Sequence, residues 1–183
     1  MERRRAFGLL MVALLLVAGG CGRGVGEAVG GIRGGQGSCR VLKAAPAVDV
    51  GAYQRFELER IADGMEGLAP AEVFSALPAE FAKALADKKI PNAASGKTLL
   101  IRGKVLHYEG AGMLDRALGP LEQVVARIEY VDKASGKVLA LANCVGRTKD
   151  NISVGPRTKA QGLARGIVRW IDERYPKDKR LED

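Results

Sequence analysis

An apolar run too short to cross a bilayer, followed at once by small residues and a cysteine, sets the terms for everything downstream. Residues 2–5 read Glu-Arg-Arg-Arg, and residues 6–18 carry no charge before Gly19-Gly20-Cys21. As a helix this stretch rises about 20 Å at 1.5 Å per residue, short of the ~30 Å hydrocarbon core. A basic head, a short apolar run and a small-residue exit make a secretory leader, not a permanent span. Residues 1–20 are therefore set apart from the folded part of the chain.

The next stretch, 22–37, reads GRGVGEAVGGIRGGQG. Glycine loses more backbone freedom on ordering than any other residue, so this density predicts a tether, not a helix or strand. As a coil it reaches about 20–25 Å. It is not a phosphate loop: no strand precedes it and no Gly-Lys-Ser/Thr closes it.

The whole chain has 183 residues, is 47% hydrophobic and carries a formal charge of +8. That suits one folded domain, placed at 38–176, with a charged tail at 177–183 expected to fray. Removing residues 1–20 takes away three Arg and one Glu and leaves +6. Aromatics are 5%, with one Trp and one His. So few rings, together with a secreted address, argue against nucleic-acid binding.

Hydrophobic periodicity predicts the elements. Residues 39–42 are a short strand or an extended lead-in, and 52–61 alternate with Phe56 and Leu58 on one face. Residues 71–89 carry Val73, Phe74, Leu77, Phe81 and Leu85 at helical spacing, with Pro78 predicting a kink or a break. A strand is expected over 98–108, its inner face formed by Leu99, Ile101, Gly103, Val105 and His107. Strands over 124–131 and 138–145 flank the turn Asp132-Lys133-Ala134-Ser135-Gly136-Lys137, the clearest hairpin in the chain. Residues 157–175 form the second helix. Its apolar face holds Ala160, Leu163, Ala164, Ile167, Val168 and Ile171, with Trp170 at the edge and Lys159, Arg165 and Arg169 opposite. The expected fold is therefore α+β: a two-layer sandwich of about four strands with two helices on one face, in the order β-α-β-β-β-α. Whether the first strand and the strand after the first helix pair in parallel is left open.

Two resemblances add to this. Val17-Ala18-Gly19-Gly20-Cys21 resembles the bacterial lipoprotein box, with Ala18 where Leu is more usual. It implies cleavage before Cys21 and lipidation of Cys21. The membrane is then a partner through the acyl chains, palmitate-like in class, at about 0.8 kcal/mol per buried CH₂. Gly22 follows, where inner-membrane lipoproteins often carry Asp, which implies an outer-membrane address facing the periplasm. The stretch 99–170 is also similar to a family of small bacterial lipoproteins to which no activity is assigned. The likeness rests on Leu99-Leu100-Ile101-Arg102-Gly103, Gly110-Ala111-Gly112, the hairpin from Ala126 to Leu139, and Ala160, Leu163 and Ala164. Leu118-Gly119-Pro120 stands where that family has a denser glycine loop. The family implies an envelope domain that binds other envelope proteins, and it carries over no catalytic residue.

Cys39 and Cys144 remain once Cys21 is lipidated. An even pair in an oxidising compartment reads either as a disulfide or as two separately buried thiols. His107 stands beside Glu109 at a strand end, and one imidazole cannot build a multi-His metal site. Asp49, Glu57, Glu59, Asp63 and Glu66 show no spacing that gathers two carboxylates in a cleft. No Ser stands in a nucleophile-elbow context, so neither a catalytic set nor a cofactor or metal is expected. The leading expectation is a non-catalytic envelope lipoprotein that binds a protein partner or assists envelope assembly. The partner surface would be a sheet edge, or the connection 109–120 with Gly110, Gly112, Asp115 and Arg116. The alternative is a module for an anionic lipid or glycan, with the positive charge as its cue; a hydrolytic enzyme ranks third.

Overall fold

The computed structural model describes residues 34–110, 123–148 and 155–182. Cys21, Gly112, Asp115 and Arg116 lie outside them. Eight elements follow in order: β1 Gln36–Ala44, β2 Arg55–Leu58, β3 Ala62–Asp63, α1 Ala71–Asp87, β4 Thr98–Tyr108, β5 Gln123–Asp132, β6 Val138–Arg147 and α2 Pro156–Asp172. The fold is α+β, with a six-stranded mixed sheet in the order β1-β6-β5-β4-β2 and β3 also paired to β4.

The antiparallel half follows from the alternation. Val124, Ala126, Ile128 and Tyr130 of β5 and Ala140, Ala142 and Cys144 of β6 all lie in the core, at intervals of two. Asp132 closes the hairpin between them. Its Oδ1 accepts from the Ser135 N–H and hydroxyl at 2.9 Å each, and Gly136 turns at φ 69°. The parallel half needs a crossover. β2 and β3 run parallel to β4, and α1 is the connection that carries the chain back.

Several expectations need correction, beginning with the strands and the first helix. The sheet has six strands, not about four: β1 is a full nine-residue strand and β3 is added beside β4. β1 also begins at Gln36, inside the stretch read as tether. The reason is tertiary. A Cβ at Gly35 would strike the Thr158 carbonyl, and one at Gly37 the Gly162 carbonyl. Glycine lets this end of β1 press against α2. Third, α1 continues unbroken through Pro78. Pro78 is exposed, so its ring meets no core neighbour, and the helix runs on with one backbone hydrogen bond fewer.

The helices differ in how they meet the sheet. α2 lies directly on β1, β6 and β5, and α1 packs along α2. Val73, Leu77, Phe81 and Leu85 of α1 join the same core as Leu163, Ile167 and Ile171 of α2. Trp170 is not at the edge but 2% exposed in the core, stacked on Tyr130 at 3.9 Å between centroids, with Arg174 over its ring. Burial pushes the Tyr130 hydroxyl far up, so it stays neutral and donates to the Ile167 carbonyl at 3.0 Å.

The tail is held, not frayed. Arg180 donates to Asp172 Oδ1 at 2.7 Å and to the Lys88 carbonyl at 2.9 Å, and the Leu181 N–H reaches the Lys89 carbonyl. Burial pushes the Asp172 carboxyl up, but the bonds from Arg180 and Lys88 outweigh it and hold it below its usual range.

Candidate functional site

Cys39 and Cys144 lie opposite each other in the β1–β6 register and are joined by a disulfide. Both sulfurs sit near the Tyr130 hydroxyl, at 3.9 and 4.0 Å. The bond fixes β1 to β6, its neighbour in the sheet.

Of the connection 109–120, only the root is described. The Glu109 N–H donates to the Gln123 carbonyl at 2.8 Å, so the segment leaves and rejoins the sheet at one place. Lys159 is buried against that root. Its Nζ donates to Tyr108 Oη at 2.9 Å and to the Glu109 carbonyl at 2.7 Å, and lies 4.1 Å from the Tyr108 ring centre. The expectation that Lys159 faces solvent is therefore wrong: it is 1% exposed. The spacing 159, 163, 167, 170 puts it on the apolar stripe of α2, a signal the sequence carried but the charge masked. Gly110 follows in open space, where a Cβ would meet only a Tyr108 ring carbon at 3.6 Å.

The titratable candidates do not converge. His107 lies 3.9 Å from Glu109 with both side chains about half exposed. A β-bulge between Val105 and His107 resets the alternation of β4, so His107 pairs with Val125 on the outer face instead of joining Leu99 and Ile101. Glu57 takes both carboxylate oxygens to Lys133 at 2.8 Å, which holds its carboxyl below the usual range. Asp63 caps the Met65 and Gly67 N–H groups at 2.8 and 2.7 Å. Asp132 is lowered to about 2, first by the Ser135 N–H and then by the Tyr53 hydroxyl. Among the described residues no group of three or more His, Cys, Asp or Glu is placed to hold a metal.

What the fold does assemble is a surface. α2 covers one face of β1, β6 and β5, with α1 packed along α2 and not directly on the strands as the expected two-helix layer had it, and the other face carries the alternate residues of β4, β5, β6 and β1. Read across the strands in register, one row is Lys104, Arg127, Asn143 and Arg40. The next is Arg102, Glu129, Leu141 and Lys43. A third centres on Arg147, flanked by Gln123 and Gln36. Glu129 is paired with Arg102 at 2.8 Å, and Arg127 Nε donates to Asn143 Oδ1 at 3.3 Å. Among the described residues Lys104, Arg40, Lys43 and Arg147 have no ion-pair partner. Two shallow clefts meet at Glu129. One, of about 430 Å³, includes Arg60, Arg102, Lys104 and Arg127; the other, of about 340 Å³, is lined mostly by Pro46, Val138, Leu139 and Leu141. At the rim, the outer edge of β1 exposes Val41 by 37% and Leu42 by 46%. The periodicity assigned Arg102, Lys104, Arg127 and Glu129 outward; their alignment into rows depended on strand order and register.

No protein-family model matches the chain, and no curated protein matches it. Among solved structures the chain is similar to the PelC dodecamer from Paraburkholderia phytofirmans, with a TM-score of 0.52 and 17% identity over 75% of this chain and 98% of that one. A single-residue variant of that PelC, also a dodecamer, gives 0.51 and 18% over the same shares. The likeness is one of fold.

Proposed function

We propose that this chain is a non-catalytic cell-envelope lipoprotein, anchored through a lipid on Cys21 to the outer membrane and facing the periplasm. Its domain works by binding protein, further copies of itself first. The observation that carries this reading is the outer edge of β1, which among the described residues pairs only with β6 and exposes Val41 and Leu42. Open edges pair with other chains unless they are blunted. Here a bulge between Val41 and Lys43, and the cations Arg40 and Lys43, limit indiscriminate pairing and leave a short apolar step. The fold shared with chains that crystallise as dodecamers supports self-assembly. The leader pattern and Val17-Ala18-Gly19-Gly20-Cys21 support the address.

Two measurements test it. Light scattering on the lipidated chain in mild detergent is expected to give a multiple of the mass of one mature protomer. Replacing Val41 and Leu42 with Lys is expected to return it to the protomer. A monomer at micromolar concentration, with no envelope protein crosslinked to β1 in cells, overturns the assembly reading. Cys21→Ser is expected to leave the leader uncut and to abolish acylation; unchanged mature size and membrane fractionation overturn the address.

A further inference from the structure

We propose that the face of the sheet turned away from α2, which no described element covers, binds a linear acidic polysaccharide, with sugar carboxylates lying along the row Lys104–Arg127–Asn143–Arg40. The inference is independent of the assembly reading.

Lys104 and Arg127 stand directly opposite each other on β4 and β5. Like charges in that position repel. Among the described residues no carboxylate pairs with either, and Arg40 continues the row on β1 without an ion-pair partner. An anion from outside, lying between the two, would relieve that repulsion. Strands lie about 4.8 Å apart, so the row offers a cation or an amide at each step over about 14 Å. That is a track, and it suits a chain of evenly repeated carboxylates better than one compact anion.

The residues between the cations narrow the ligand further. Asn143 both donates and accepts, and Glu129 in the next row only accepts. A run of bare phosphates would be repelled by Glu129 and has no hydroxyl to donate to it. A uronate sugar presents a carboxylate for Lys104, Arg127 and Arg40, and hydroxyls for Glu129 and Asn143. A bilayer would need apolar side chains that stand clear of the protein. The aliphatics within the rows, such as Leu141 and the neighbouring Val125 and Val145, are half buried among the polar groups. The cleft past β4 towards β3 is lined by Arg60, Arg102, Lys104 and Arg127 and also by Glu59 and Glu129, so it offers cations for carboxylates and acceptors for sugar hydroxyls.

The test is calorimetric titration of the full chain in neutral detergent with polygalacturonate. Binding is expected to weaken steeply between about 0.05 and 0.3 M salt. The double variant Lys104→Gln, Arg127→Gln is expected to lose about tenfold in affinity. The control Lys83→Gln, Arg169→Gln removes the same charge from exposed positions on the helices and is expected to bind as the parent does. Thermal melts check that both variants fold; should the first not fold, Arg40→Gln with Lys43→Gln reads the same face from β1. Equal loss in both double variants means net charge alone, and overturns the proposal. So does no binding to polygalacturonate, and so does tighter binding to phosphatidylglycerol vesicles or polyphosphate that the Lys104, Arg127 variant weakens.

Discussion

β6 has two sides, and they solve opposite problems. Beneath α2 it presents Ala142, Cys144 and Gly146; a Cβ at Gly146 would run into the Lys159 carbonyl and the Leu163 N–H. On its other side it presents Leu141, Asn143, Val145 and Arg147, alongside Arg127 and Arg40. The inner side is built from small residues so that backbone meets backbone. The outer side mixes aliphatic and polar residues with Arg147 and stands beside Arg127 and Arg40, and among the described residues none of these three cations has a carboxylate partner. Adjacent residues of one strand thus face the packed core and the solvent separately, and a change on one side need not disturb the other.

The comparison can be broken on the inner side first. Replacing both Cys39 and Cys144 with Ser removes a crosslink spanning 105 residues, and is expected to lower stability by about 3–5 kcal/mol in denaturant titrations. A loss below about 1 kcal/mol would mean that the close packing of α2 holds β1 without it. Gly37→Ala sets a methyl group against the Gly162 carbonyl, and the opposing atoms are backbone, not a flexible side chain. A cost of about 2–3 kcal/mol is expected, read as a fall in Tm. The outer side gives the smallest effect and the sharpest sign. Lys104→Gln relieves a like-charge pair and is expected to raise stability by about 0.2–1 kcal/mol. Arg102→Gln breaks the exposed pair with Glu129 and is expected to lower it by a few tenths. The same loss of one cation from neighbouring positions on β4 should move the melt in opposite directions at low salt, and the gap should close at high salt.

The strands β4, β5 and β6 and the helix α2 were legible in the sequence because each buries one face at a clean period. Residues 98–108, expected as a strand, are the observed bounds of β4. β1 was not legible beyond its middle. Its glycines argue locally against order, and the reason they are there is a contact with Gly162, more than a hundred residues away. His107 was assigned to the wrong face because alternation cannot foresee a bulge. Lys159 was assigned to solvent because its charge outweighed its place on the stripe. The open face was half legible: outward cations could be read from each strand, but a row across four strands exists only once register is fixed. Nothing in the sequence could place Lys104 opposite Arg127.

The crosslink between β1 and β6 also decides how copies of this chain can meet. An unfastened terminal strand is a natural unit of domain swapping, in which one protomer lends its strand to another and the two become hard to separate. Here the lender is tethered covalently to its own β6. Any neighbour must add beside β1 instead of replacing it, so association would stay reversible while the disulfide is intact. A reducing environment would open the exchange route.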